Sequence, residues 1–194
     1  MNRLKILISL LNIPRLIPHI ILFYRYYEKC LDDVEINSAH KIKTNKTIIK
    51  FLYLLVYYKY YRNLFYYRIG VVHHFICFLA PKMEFFFISP TTKIGKGLQL
   101  GHCFSTVINA ESIGSNCSIY QDVTIGVSGH KKPIIHDNVQ IFANSTIIGG
   151  IEIGNNVSIG AGTILTKSVP ANSVVVGNPA RIIKQNGQKV NVKL

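Results

Sequence analysis

From residue 135 onward an aliphatic side chain returns every six residues: Ile135, Ile141, Ile147, Ile153, Ile159 and Leu165. Four places after each comes a small or branched residue, Val139, Ser145, Ile151, Val157, Thr163 and Val169. A period of six fits neither an α-helix nor the alternation of a simple strand. It is the signature of a parallel β-helix, in which three hexads make one triangular coil. The aliphatic residue points into the prism, and Gly, Asn or Asp bends the chain at the corners, as in IGNNVS (153–158) and IGAGTI (159–164). The frame reaches back through Ile125, Ile119, Ile113 and Val107, and further to Leu100, Ile94 and Ile88. It is interrupted twice. The step from Leu100 to Val107 is one residue too long, which predicts a bulge. The step from Ile125 to Ile135 is four too long, which predicts a protruding loop, GVSGHKKPI.

Stacking three hexads per coil puts Leu100, Ile119, Ile141 and Ile159 on one face. Two residues beyond each lies a second column: His102, Gln121, Ala143 and Ala161. A histidine at one end and two alanines at the other describe a groove edge, with room for a slender ligand against backbone and a base at its end.

The first part of the chain is a different polymer. Of 21 Phe and Tyr, 18 lie before residue 88, whereas 13 of 14 Gly lie after Pro90. Residues 1–84 read as an α-helical region, 85–178 as the β-helix and 179–194 as a C-terminal tail. Met1 to Tyr27 is apolar, but Pro14, Pro18 and scattered Arg and Lys break it below the roughly 20 apolar residues of a spanning helix. A signal peptide is not indicated, because no small-residue cleavage site follows. Residues 47–80 interleave Tyr57, Tyr58, Tyr60, Tyr61, Tyr66 and Tyr67 with Lys59, Arg62 and Arg68. That mixture suits peripheral contact with a membrane surface, and it equally suits a helical cap packed on other protein. His73–His74 belongs to that packing.

A formal charge of +13 invites an anionic partner. Nucleic acid is set aside, since the chain has no recognition helix, RNA-binding aromatic motif or zinc module. The four cysteines at 30, 77, 103 and 117 show no CxxC spacing, so a reduced, cytoplasmic setting is expected.

GLQLGHCFSTVIN (97–109), QDVTIG (121–126) and VVVGNPARIIK (174–184), with the hexads, resemble the left-handed β-helix (hexapeptide-repeat) acetyltransferases. The nearest branches are the serine acetyltransferase-like enzymes and their relatives that acetylate bacterial surface polysaccharides. The resemblance covers about residues 85–185. It implies a mainly β fold, a left-handed parallel β-helix behind an α-helical N-terminal region, and acetyl-CoA as co-substrate with no metal. It also implies that His102 is the general base that takes the acceptor hydroxyl's proton, work suited to imidazole. Transfer would be direct, without an acyl-enzyme. Ala143 and Ala161 match the small positions along the pantetheine arm, Thr166 and Lys167 the donor contacts of the next face, and Arg181 and Lys184 the basic pair near the CoA phosphates. Gln121 and His130 are candidates on the acceptor side. The family's assembly implies a homotrimer with sites between subunits.

Departures from the serine branch fall on the acceptor. That branch has Asp where this chain has Phe87 and again where it has Gly101, and it has His-Pro where this chain has Lys132–Pro133. A free amino acid presents an ammonium, so loss of both carboxylates points to a sugar hydroxyl of a capsular polysaccharide, exopolysaccharide or their precursor, acetylated on the cytoplasmic side near the membrane. Serine is the alternative. Two lower alternatives are a zinc lyase using His102, His130 and His136, and a non-catalytic scaffold.

Overall fold

The computed structural model describes residues 2–194, which divide into two compact units, Met1–Glu84 and Phe85–Leu194. The first is helical: α1 (Asn2–Leu11), α2 (Ile13–Arg25), α3 (Tyr27–Ser38), α4 (Thr47–Tyr57) and α5 (Lys59–Ile69). A 3-10 turn follows at Gly70–Phe75. Pro14, at the start of α2, has no N–H to offer a preceding turn, and the axes of α1 and α2 meet at 84°.

The tyrosine-rich helices are the core of this unit. Phe51 to Leu55 of α4 and Tyr60, Tyr61, Leu64, Phe65 and Tyr66 of α5 are all buried. Phe51 stacks on Phe23 at 4.2 Å and meets Phe65 edge-on at 5.0 Å. Within the 47–80 stretch, α4 and α5 turn most of their rings onto α2 and one another, whereas Val71, Phe75 and Phe78 beyond α5 remain exposed. Tyrosine and arginine are accommodated because their polar ends find partners. Buried Arg62 donates to the carbonyls of Leu55, Val56 and Pro81 at 2.6, 3.0 and 2.7 Å, satisfying the end of α4. Arg68 forks onto buried Asp33 at 2.7 and 3.1 Å. His73 stacks on Tyr66, and His73 and His74 bond to the carbonyls of Gly70 and Val71.

The second unit is a parallel β-helix of about five coils. Coil one is β1 (Phe86–Ile88), β2 (Lys93–Ile94) and β3 (Gln99–Gly101); coil two is β4 (Thr106–Ile108), β5 (Ser112–Ile113) and β6 (Ser118–Tyr120). Coil three is β7 (Thr124–Gly126), β8 (Ile134–Ile135) and β9 (Gln140–Ile141); coil four is β10 (Thr146–Ile148), β11 (Glu152–Ile153) and β12 (Ser158–Ile159). Coil five is β13 (Ile164–Leu165), a single bridge at Val169 to Ile153, and β14 (Ser173–Val176). Successive strands enter three sheets in turn: β1-β4-β7-β10-β13, β2-β5-β8-β11 and β3-β6-β9-β12-β14. Ile113, Ile119, Ile125, Ile135, Ile141, Ile147, Ile153, Ile159 and Leu165 are buried inside the prism, and so are Val139, Ser145, Ile151, Val157, Thr163 and Val169.

Two readings are corrected here. Val107 is exposed and Ile108 is the inward residue, in register with Ile88 and Ile125. His102, Cys103 and Ser105 all have positive φ, and this tight turn takes up two residues where the count allowed one. Residues 179–194, expected as a tail, form β15 (Arg181–Gln185) and β16 (Gln188–Lys193), an antiparallel hairpin added to the edge of β14.

At one corner, Asn138, Asn156, Asn172 and Asn186 all adopt the left-handed conformation that Asn tolerates. Their side-chain amides bond in series, at 3.1, 2.8 and 3.3 Å.

Candidate active site

The His102 column is in register. Leu100 pairs with Ile119, Ile119 with Ile141 and Ile141 with Ile159. His102, Gln121, Ala143 and Ala161 each follow two residues later, at the corner where the chain leaves this sheet for the next. His102 has φ 64 and an exposed side chain. Its turn is held from below. Buried Cys103 directs Sγ at the Ile119 carbonyl, 3.2 Å away, its N–H donates to the Gly101 carbonyl at 2.8 Å, and the Asp122 N–H donates to the Phe104 carbonyl at 3.0 Å. A non-glycine residue in this region costs on the order of 1 kcal/mol, so three within four residues persist only because the coil beneath fixes them. The result is an imidazole presented outward on a rigid edge. At the far end of the column Ala143 is half-buried and Ala161 exposed, and a Cβ added to neighbouring Gly162 would meet nothing within 4 Å. A narrow ligand arm therefore has open space along these alanines.

Two aromatic residues were overlooked in the sequence. Tyr120 and Phe142 occupy the adjoining column and stack at 5.2 Å. Tyr120 lies against Gly101, where an added Cβ would sit 2.4 Å from ring carbon Cδ1. Glycine stands before His102 because the tyrosine ring fills the space a side chain would need. The signal was present: the three Phe or Tyr beyond residue 88 are Phe104, Tyr120 and Phe142, and all lie in this turn or column.

The other candidate residues are elsewhere. His130 tips the loop as the second residue of a two-residue turn with Gly129, both at positive φ, closed by reciprocal Ser128–Lys131 bonds of 3.2 and 3.1 Å. Thr166 and Lys167 follow β13 and are exposed at the same corner as that loop, at the opposite end of the sheet's strands from the His102 corner. Arg181 and Lys184 are exposed on β15, and Arg181 donates to the Asn191 side chain at 3.0 Å. His136, on the third corner, is paired with Glu152 at 2.6 Å. His102, His130 and His136 thus occupy three different corners. Among the described residues no group of three or more His, Cys, Asp or Glu is placed to hold a metal ion.

Comparison with known proteins agrees with this architecture. The family model "Bacterial transferase hexapeptide (six repeats)" matches residues 132–167. Serine acetyltransferase of Staphylococcus epidermidis is 45% identical over 108 residues, 53% of this chain and 51% of that protein, and the Staphylococcus aureus (strain N315) enzyme is 44% identical over the same shares. Over its β-helix the chain is similar to hexapeptide-repeat transferases and to serine acetyltransferases. It spans about half the length of the curated relatives it matches. Among solved structures, serine acetyltransferase from Brucella abortus strain S19 superposes with a TM-score of 0.68 at 26% identity, covering 85% of this chain and 71% of that one. The Neisseria gonorrhoeae serine acetyltransferase in complex with serine gives a TM-score of 0.67 at 27% identity, over 83% and 70%.

Proposed function

We propose that this hexapeptide-repeat chain is an acetyl-CoA-dependent O-acetyltransferase, with the hydroxyl of L-serine as the acceptor. The observation that carries the reading is His102 held outward by its strained turn at the head of the Ala143–Ala161 column, in a chain similar to serine acetyltransferases. The His102 imidazole takes the proton as the acceptor oxygen attacks the thioester carbonyl. The C–S bond breaks, the proton passes to the departing sulfur, and ester and free thiol leave. Ala143 and Ala161 leave room for the pantetheine arm, and Thr166, Lys167, Arg181 and Lys184 are the proposed polar and phosphate contacts.

A sugar hydroxyl is the second reading, favoured by a specific observation. Phe87 and Gly101 stand where the serine branch has carboxylates, and the Tyr120–Phe142 pair beside His102 offers a flat apolar face. Release of free thiol from acetyl-CoA, compared with L-serine and with hexose acceptors, separates the two. Saturable turnover with serine supports the first reading; turnover only with sugars replaces it by the second; hydrolysis alone in both cases rejects acetyl transfer.

We further propose a homotrimer in the cytoplasm. Its support is that His130 and His102 lie at opposite ends of one sheet's strands, so a neighbouring copy could bring the loop of one chain to the base of the next. Light scattering that returns the monomer mass, 21.9 kDa, would reject the trimer.

A further inference from the structure

The first 27 residues contain Arg3, Lys5, Arg15 and Arg25 and no Asp or Glu. Their helices also leave large apolar side chains in solvent. On α1, Leu4, Leu7 and Leu11 are 63%, 53% and 71% exposed; on α2, Ile17, Ile21 and Tyr24 are 49%, 62% and 59% exposed. The spacing of the second set, i, i+4 and i+7, makes one stripe, turned away from the buried stripe of Leu16, His19 and Phe23. Arg25 follows Ile21 by four residues and so borders that stripe. An exposed apolar surface of this density marks an interaction site.

The charge identifies the occupant. A second copy of this face would set its own cations opposite one another, and like charges across an interface are disfavoured. A surface bearing phosphate above hydrocarbon complements both properties. Neither helix, at 10 and 13 residues, is long enough to cross a bilayer, and the 84° bend separates them. Short amphipathic helices with cations at the edge of an apolar stripe lie instead in the interfacial plane, with aromatic rings at headgroup depth.

We propose that α1 and α2 dock this protein onto an anionic lipid bilayer, with Leu4, Leu7, Leu11, Ile17, Ile21 and Tyr24 entering the acyl boundary and Arg25 meeting lipid phosphate. This surface is separate from the tyrosine-rich helices α4 and α5, and it does not depend on which acceptor is acetylated.

The test is co-sedimentation of the full chain with vesicles of phosphatidylcholine alone and of phosphatidylcholine with phosphatidylglycerol. Binding is expected to the anionic vesicles only, and to weaken as salt rises. The Ile17→Glu/Ile21→Glu double variant should lose at least about tenfold in partitioning, since each removes an inserting side chain, with its helical circular dichroism unchanged because both positions already face solvent. Arg25→Gln should weaken binding to anionic vesicles while leaving the apolar stripe intact. No binding to anionic vesicles, or equal binding by wild type and both variants, overturns the proposal. So does loss of an oligomer in the glutamate variant without any vesicle binding, which assigns the face to a second copy.

Discussion

His19 ties the stability of the helical unit to pH. Its imidazole is wholly buried, with Nε2 2.9 Å from the Tyr66 hydroxyl. That hydroxyl donates its single proton to the Ala80 carbonyl at 2.7 Å. Nε2 therefore carries the ring proton and donates to the Tyr66 oxygen, leaving Nδ1 a buried lone pair with no hydrogen-bond partner. Burial above all, then the charges of Arg62 and Arg15, lowers the His19 pKa from 6.5 to about 4. An unfolded chain takes up this proton near pH 6.5 and the folded one only near pH 4. Between those values the unfolded state binds more protons, so the contribution is intact above pH 6.5 and is lost progressively as pH falls to about 4. The gap corresponds to about 3 kcal/mol, a large share of a domain's net stability. Urea unfolding followed by the helical circular dichroism signal, from neutral pH to pH 4, should show that decline. His19→Gln keeps an N–H for Tyr66 but cannot titrate, so its decline should be shallower by the same amount. Equal acid slopes in the two proteins would refute the assignment.

Three further outcomes are expected. His102→Ala should lower kcat/KM for acetyl transfer by at least about 100-fold, with the melting temperature little changed because the side chain is exposed; this is read by thiol release and by thermal unfolding of the same preparation. Gly101→Ala should cost the solenoid about 1–3 kcal/mol by driving a methyl into the Tyr120 ring, and Tyr120→Ala added to it should recover most of that loss in urea midpoints. Asp33→Ala should destabilise the helical unit by about 3–5 kcal/mol, because it strips the buried Arg68 guanidinium of its forked carboxylate; scanning calorimetry measures it.

The coil was legible because its period is set by backbone geometry and its inward positions are filled by aliphatic residues or by small ones such as Ser145 and Thr163. Counting alone failed at Val107. Left-handed residues at 102, 103 and 105 shorten the path of the chain, and nothing in their identities, His, Cys and Ser, announces that conformation. Histidine and the two alanines could be aligned by arithmetic, whereas the ring of Tyr120 over Gly101 is a packing relation between neighbouring coils that no single hexad contains. The helical unit was harder. Tyrosine and arginine on a helix read alike whether water, lipid or protein lies opposite, and only the partners of Arg62, Arg68 and Tyr66 decide the matter. The two prolines that interrupt the apolar run of the first 27 residues do not prevent short helices whose apolar sides remain exposed.

The asparagine series at one corner also acts as a ruler along the prism. Its rungs are 18, then 16, then 14 residues apart, so the path length between rungs shortens toward the C terminus while the amides stay in contact. Duplicating one 18-residue segment would add a coil and a rung together and lengthen the prism with its corners still aligned. Inserting a single hexad would advance every later residue by one face and carry each following asparagine to the next corner, out of line with the series. The prism can lengthen with its asparagine series in line only by whole coils, and the last of these rungs is borne by the β15–β16 hairpin.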